Sequence, residues 1–177
     1  MSRKCVPAKS VEIPMAKSPA PGFFVRQWRR GDTPSVEDMA DFNYLLRELS
    51  ELDGVPREMS LEKTVDDFST FMGMLQHVLV VASDAEANRI VGMGSLHVKP
   101  LFARGLSGEI EEFVVDARCR GMGVADMIDD ALRAAAHEFG VREITLTSNP
   151  LRIAANRFYL RRGYKRYETN HYRLVLR

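Results

Sequence analysis

Cysteine is nearly absent from this 177-residue chain, with Cys5 close to the start and Cys119 in a charged segment. Two such thiols exclude a disulfide scaffold and give no paired spacing for zinc, so they are read as reduced in a cytosol-like compartment. The four histidines, His77, His97, His137 and His171, lack the spacing that sets two ligands on one helical face, and no metal is expected. Net charge is lacking too. With 25 Lys and Arg against 24 Asp and Glu the total is +1, which argues against a nucleic-acid binder. No apolar run approaches the roughly 20 residues that span a bilayer, so a soluble, cytoplasmic protein is expected. Gly-Lys occurs nowhere, which excludes the Walker phosphate loop. A dinucleotide fingerprint starting at Gly121 would need a third glycine where Asp126 stands, and that carboxylate would repel a pyrophosphate.

What is present suits one globular domain: 45% hydrophobic and 28% charged residues. Charge is uneven. Residues 1–22 carry +3 and residues 151–177 carry +7, which leaves −9 between them. The first 22 residues hold four of the eight prolines and read as a disordered tail. Their Ser and Lys content, with few acids, is also that of an organellar transit peptide. Residues 23–177 form the expected single domain.

Phe23–Trp28 reads as a strand, and Met39, Phe42, Leu45, Leu46 and Leu49 recur at helical spacing up to Asp53-Gly54. A weaker helix over 61–75 follows, then a β-branched strand from His77 to Ala82 with a hairpin partner at Ile90–Val98. A loop is expected over Pro100–Gly108, then a strand over Glu109–Val115. The periodic helix from Val124 ends at Gly140. A strand over 143–147, a helix over 153–160 and a last strand over Tyr167–Leu176 complete an α/β fold with a mixed sheet.

The loop 116–123 lies between a strand and a helix, where the first helical N–H groups lack internal partners and Gly121 and Gly123 let an anion approach the backbone. Arg118 and Arg120 add positive charge. Arg120-Gly121-Met122-Gly123-Val124-Ala125 matches the [QR]-x-x-G-x-[GA] signature, and Ser148-Asn149-Pro150 with Ala155-Asn156-Arg157-Phe158-Tyr159 and Gly163-Tyr164 resembles a second block of the same family. By these two motifs, in order, the chain resembles the GCN5-related N-acetyltransferases over roughly residues 24–176. The resemblance implies a mostly antiparallel sheet with splayed central strands and acetyl-CoA as co-substrate. Its pyrophosphate would lie on the Arg120–Ala125 loop and its pantetheine along Phe113, Val114 and Val115, with Asn149 and Asn156 as partners. A homodimer is compatible with it.

Acetyl transfer to an amine needs a base, an oxyanion donor and a proton for the departing thiolate. Glu109, Glu111 and Glu112 crowd a strand expected to be central, where carboxylates are rarely buried without a reason. By strict alternation Glu109 and Glu111 share a face with Phe113 and Val115, whereas one bulge would reverse the phase. This strand is similar to that of the glucosamine-6-phosphate and aminoalkylphosphonate acetyltransferases, which implies Glu111 as first choice for the base, Glu112 as second and Tyr159 as the acid. Lys99, Arg104 and Glu109 are candidates for holding an amine that carries phosphate or phosphonate. A protein lysine or N-terminal acetyltransferase and a non-catalytic acyl-CoA-binding module are the alternatives. A small-molecule pocket should be closed over by the helical region 50–75, and a peptide groove left open.

Overall fold

The computed structural model describes residues 21–53, 60–74 and 76–176. The tail expected over residues 1–22 lies almost wholly outside them. In chain order the elements are β1 (Phe23–Trp28), α1 (Val36–Asp53), α2 (Leu61–Gly73), β2 (His77–Asp84), β3 (Arg89–Leu101), β4 (Gly105–Val115), α3 (Val124–Glu138), β5 (Glu143–Leu146) and α4 (Ile153–Arg161), with a 3₁₀ turn at Ala117–Cys119 between β4 and α3. The sheet order is β1-β2-β3-β4-β5, antiparallel through β4 and parallel between β4 and β5.

The strands bury alternate side chains on two faces, and each face takes the helix whose stripe matches it. On one side Met39, Phe42, Leu45 and Leu49 of α1 pack with Trp28, Leu79, Val81, Met93 and Val114. Trp28 meets Phe42 and Phe68 edge-on at centroid distances of 5.5 and 5.9 Å. On the other side Val124, Ile128, Leu132 and Ala135 of α3 pack with Val78, Val80, Leu96, Ile110 and Val115. These are the two stripes that the sequence spacing predicts.

Two expectations fail. The segment expected as a loop over Pro100–Gly108 is mostly strand, because β3 runs on to Leu101 and β4 begins at Gly105. A turn at 102–104 joins them, with Ala103 at φ 66° and Gly105 at φ 85° supplying left-handed backbone. The strand expected over Tyr167–Leu176 does not form among the described residues. Its Tyr167, Tyr172, Leu174 and Leu176 are all more than 80% exposed. Alternating side chains make a strand only where a neighbouring edge takes up its N–H and C=O groups.

Candidate active site

The register of β4 decides the site. It pairs with β5 only from Ser107 to Ile110, so from Glu111 to Val115 the two strands have parted. On the β3 side Glu111 lies opposite Ser95 and Val114 opposite Met93, which leaves Glu112 and Phe113 against Gly94 alone. That extra residue is a bulge, and Glu112 carries its left-handed backbone at φ 47°. The expected shared face of Glu111 and Phe113 is therefore corrected. Phe113 points to the α3 side, where its Cδ2 would lie 3.1 Å from a Cβ on Gly94, whereas Glu111 stands across from Ser95. The bulge inserts one residue and turns Glu111 and Glu112 toward the same side, away from Phe113.

The loop into α3 fits an anionic ligand. Its N-cap is Gly123 at φ 86°, which has no side chain to cap the first turn, and a Cβ on Gly121 would meet nothing within 4 Å. Ser148, just past β5 where the strands have parted, holds a buried Oγ without a hydrogen-bond partner. The two arginines are committed inward. Arg118 donates from Nε (3.0 Å) and Nη2 (2.5 Å) to the buried Asp116, whose carboxyl is thereby held below its usual range. Arg120 donates to the Val115 carbonyl at 3.0 Å and pairs with Glu48 at 3.5 Å. Burial pushes the Cys119 thiol up, which suppresses its thiolate.

Tyr159 is buried, with Phe113, Phe158 and Tyr164 ringed about it at 5.4–5.9 Å. Asn149 and Asn156 build the turn into α4: Asn149 Oδ1 accepts from the Leu151 N–H, and Asn156 Nδ2 donates to the carbonyls of Asn149 and Arg152. Asn156, expected as a pantetheine partner, thus spends its Nδ2 donors within this turn. Arg152, which the sequence reading overlooked, donates from Nη2 to the Phe113 carbonyl at 3.3 Å, across the gap between β4 and the segment after β5.

Two further residues beside the carboxylates were missed. Ser95 Oγ, fully buried, donates a short hydrogen bond to Glu112 Oε2 and lies 3.2 Å from His97 Nε2. His97 is the register partner of His77, and Phe71 from α2 packs edge-on against both imidazoles. Counting back from the Asp84–Arg89 turn would pair His77 with Leu96; a register shift between Ala82 and Ser83 brings it opposite His97 instead. Arg104 is not brought to this cluster. It sits in the β3–β4 turn, and Gly105 to Glu112 is seven residues of strand, roughly 20 Å. Lys99 pairs with Glu109 at 2.6 Å. Among the described residues no three His, Cys, Asp or Glu side chains converge as metal ligands, and no helix is long and apolar enough to cross a membrane.

Residues 39–164 match the model of the Acetyltransferase (GNAT) family, and the chain belongs to that family. It is 36% identical over 87 residues to the aminoalkylphosphonate N-acetyltransferase of Salmonella typhimurium, an alignment covering 49% of this chain and 54% of that one. It is 37% identical over 78 residues to a probable glucosamine 6-phosphate N-acetyltransferase 2 of Oryza sativa subsp. japonica, covering 42% and 47%. The match thus spans about half the length of these curated relatives. A Trypanosoma brucei acetyltransferase of known structure superposes with a TM-score of 0.67 at 26% identity, over 87% of this chain and 99% of that one.

Proposed function

We propose that this protein transfers the acetyl group of acetyl-CoA to the primary amine of a small molecule that bears a phosphate or phosphonate. The observation that carries the reading is the parting of β4 from β5 after Ile110, with a bulged glutamate and a buried tyrosine at the opening. The substrate class is supported by the two relatives, whose names give an aminoalkylphosphonate and glucosamine 6-phosphate as acceptors.

Acetyl-CoA, when bound, supplies the acetyl group as an activated thioester. The first N–H groups of α3, next to Gly121 and Gly123, would hold its pyrophosphate. Glu112 Oε2, assisted by Glu111, takes a proton from the substrate ammonium so that its nitrogen lone pair becomes a nucleophile. Tyr159 Oη gives a proton to the departing sulfur, and the second proton that leaves the acylated nitrogen restores the phenol by way of solvent. Glu112 displaces Glu111 as first choice because the bulge aims it at the buried Ser95 hydroxyl. Phe71 closes over the histidine pair from α2, which suits a small acceptor more than an open peptide groove. The part of the 50–75 cover at residues 54–59 and 75 lies outside the described residues.

The test is thiol release from acetyl-CoA with 2-aminoethylphosphonate, glucosamine 6-phosphate, their phosphate-free analogues, polyamines and lysine peptides. Turnover confined to the phosphorylated or phosphonylated amines is expected. Preference for peptides would favour a protein acetyltransferase, and coenzyme binding without turnover a binding module.

A further inference from the structure

We infer that Ser95 and His97 form a proton exit for Glu112, a relay that returns the base to its carboxylate form during turnover. The inference rests on the acetyl-transfer reading. It starts from an oddity of the β-sheet: Ser95 has no solvent exposure, yet its Oγ lies within hydrogen-bonding distance of two titratable side chains at once. One is Glu112 Oε2 and the other His97 Nε2, at 3.2 Å. Glu112 and His97 themselves stand 3.9 Å apart, too far for a direct hydrogen bond, so the hydroxyl is the bridge.

The steps balance. Glu112 Oε2 gains a proton from the substrate ammonium and becomes a carboxylic acid. Its O–H then donates to Ser95 Oγ while the Ser95 hydroxyl proton passes to the lone pair of His97 Nε2. Glu112 is left as carboxylate, Ser95 keeps one proton, and His97 becomes an imidazolium that releases its Nδ1 proton to water. A hydroxyl serves because it donates and accepts simultaneously. His97 is placed to finish the transfer, since a third of its side chain remains exposed.

The neighbours favour this direction. His97 faces Glu112 and its cross-strand partner Glu109, both carboxylates that stabilise an imidazolium, although Glu109 is shared with Lys99. Glu111 lies opposite Ser95 on β4. From β2 comes His77, buried, with neither ring nitrogen hydrogen-bonded, and from α2 the Phe71 ring. Burial and the neighbouring His97 push the His77 imidazole down, which favours its neutral form beside the relay.

Ser95→Ala and His97→Gln should each lower kcat with the preferred phosphonate or phosphate amine about tenfold at pH 7, less than Glu112→Gln, because water can also take the proton from Glu112. The deficit should shrink as pH rises and the amine deprotonates in solution. Imidazole added to His97→Ala should restore rate, and the affinity for acetyl-CoA should stay at the parent level in all variants. Circular dichroism confirms that each is folded, and the half-buried His97 position carries the test if Ser95→Ala is not. Rates within twofold of the parent at every pH, or a deficit that is constant with pH and insensitive to imidazole, overturn the relay while leaving acetyl transfer intact. A parent protein that acetylates no amine overturns both.

Discussion

The phenol of Tyr164 donates a 2.7 Å hydrogen bond to Oδ1 of Asp129, a carboxylate with no solvent exposure at the centre of α3. Oδ2 of the same carboxylate accepts from Arg133 at 2.9 Å and Arg162 at 2.6 Å, and Arg133 also donates to the Arg162 carbonyl. Burial and Asp129 push the Tyr164 phenol far up, so it stays a donor. This network ties the end of α4, and with it Tyr159, to the helix whose first turn is the candidate anion site. Asp129→Ala takes the shared acceptor from Arg133, Arg162 and Tyr164, while Arg162 keeps Asp126 and Asp130, and should cost about 2–4 kcal/mol. Tyr164→Phe removes one of three donors and should cost roughly 1–2 kcal/mol. Urea unfolding of the two variants checks the order; equal losses would show that the charges contribute nothing beyond the phenol.

Gly123→Glu should abolish acetyl-CoA binding, measured by calorimetry, because it sets a carboxylate at the first turn of α3. The left-handed backbone there, φ 86°, adds about 1–2 kcal/mol of strain for a glutamate side chain. Gly123→Asn, which tolerates that conformation, should bind more tightly than the Glu variant. Unchanged affinity in a folded Gly123→Glu protein would move the pyrophosphate elsewhere.

Tyr159→Phe should lower kcat by ~10² to 10⁴-fold with little change in acetyl-CoA affinity, since the ring keeps its packing against Phe113 and Tyr164 and only the proton donor is lost. Undiminished turnover at saturating substrates would reduce Tyr159 to a packing residue.

Glu112→Gln should cost more rate than Glu111→Gln, and its deficit should narrow with rising pH. Glutamine keeps the size and loses the basicity. A larger, pH-dependent deficit in Glu111→Gln would return the base to the position that family resemblance suggested.

His77 makes folding stability pH-dependent. Its imidazole is held below the ordinary value near 6.5, so the folded state takes up a proton later than the unfolded one. Stability is complete above that value and is lost as pH falls from it to the folded titration point. His77→Leu should flatten this limb of an unfolding free-energy profile as pH falls below about 6.5. An unaltered slope in His77→Leu would place the acid sensitivity in other groups.

Local pattern alone was enough for the helices and most strands. The stripe Met39, Phe42, Leu45 and Leu49 and the stripe Val124, Ile128, Leu132 and Ala135 state both the helix and the face it buries, because a 3.6-residue period is a local property of the chain. The glycine loop was legible for the same reason, since Gly121 and Gly123 announce left-handed backbone whatever surrounds them. Pairing decided the rest. Tyr167–Leu176 alternates like a strand but remains without one, because strand hydrogen bonds are made to another segment that the sequence cannot name. Register across β3 and β4 places the bulge at Glu112 and sends Phe113 to the opposite face, so the phase of the three glutamates follows from the neighbouring strand and not from their own spacing. His77, Ser95, His97 and Glu112 are scattered over 36 residues of sequence and meet only because three antiparallel strands set them side by side. A side chain's identity states which proton it can carry; its partner is set by the tertiary contacts that decide which groups share a face.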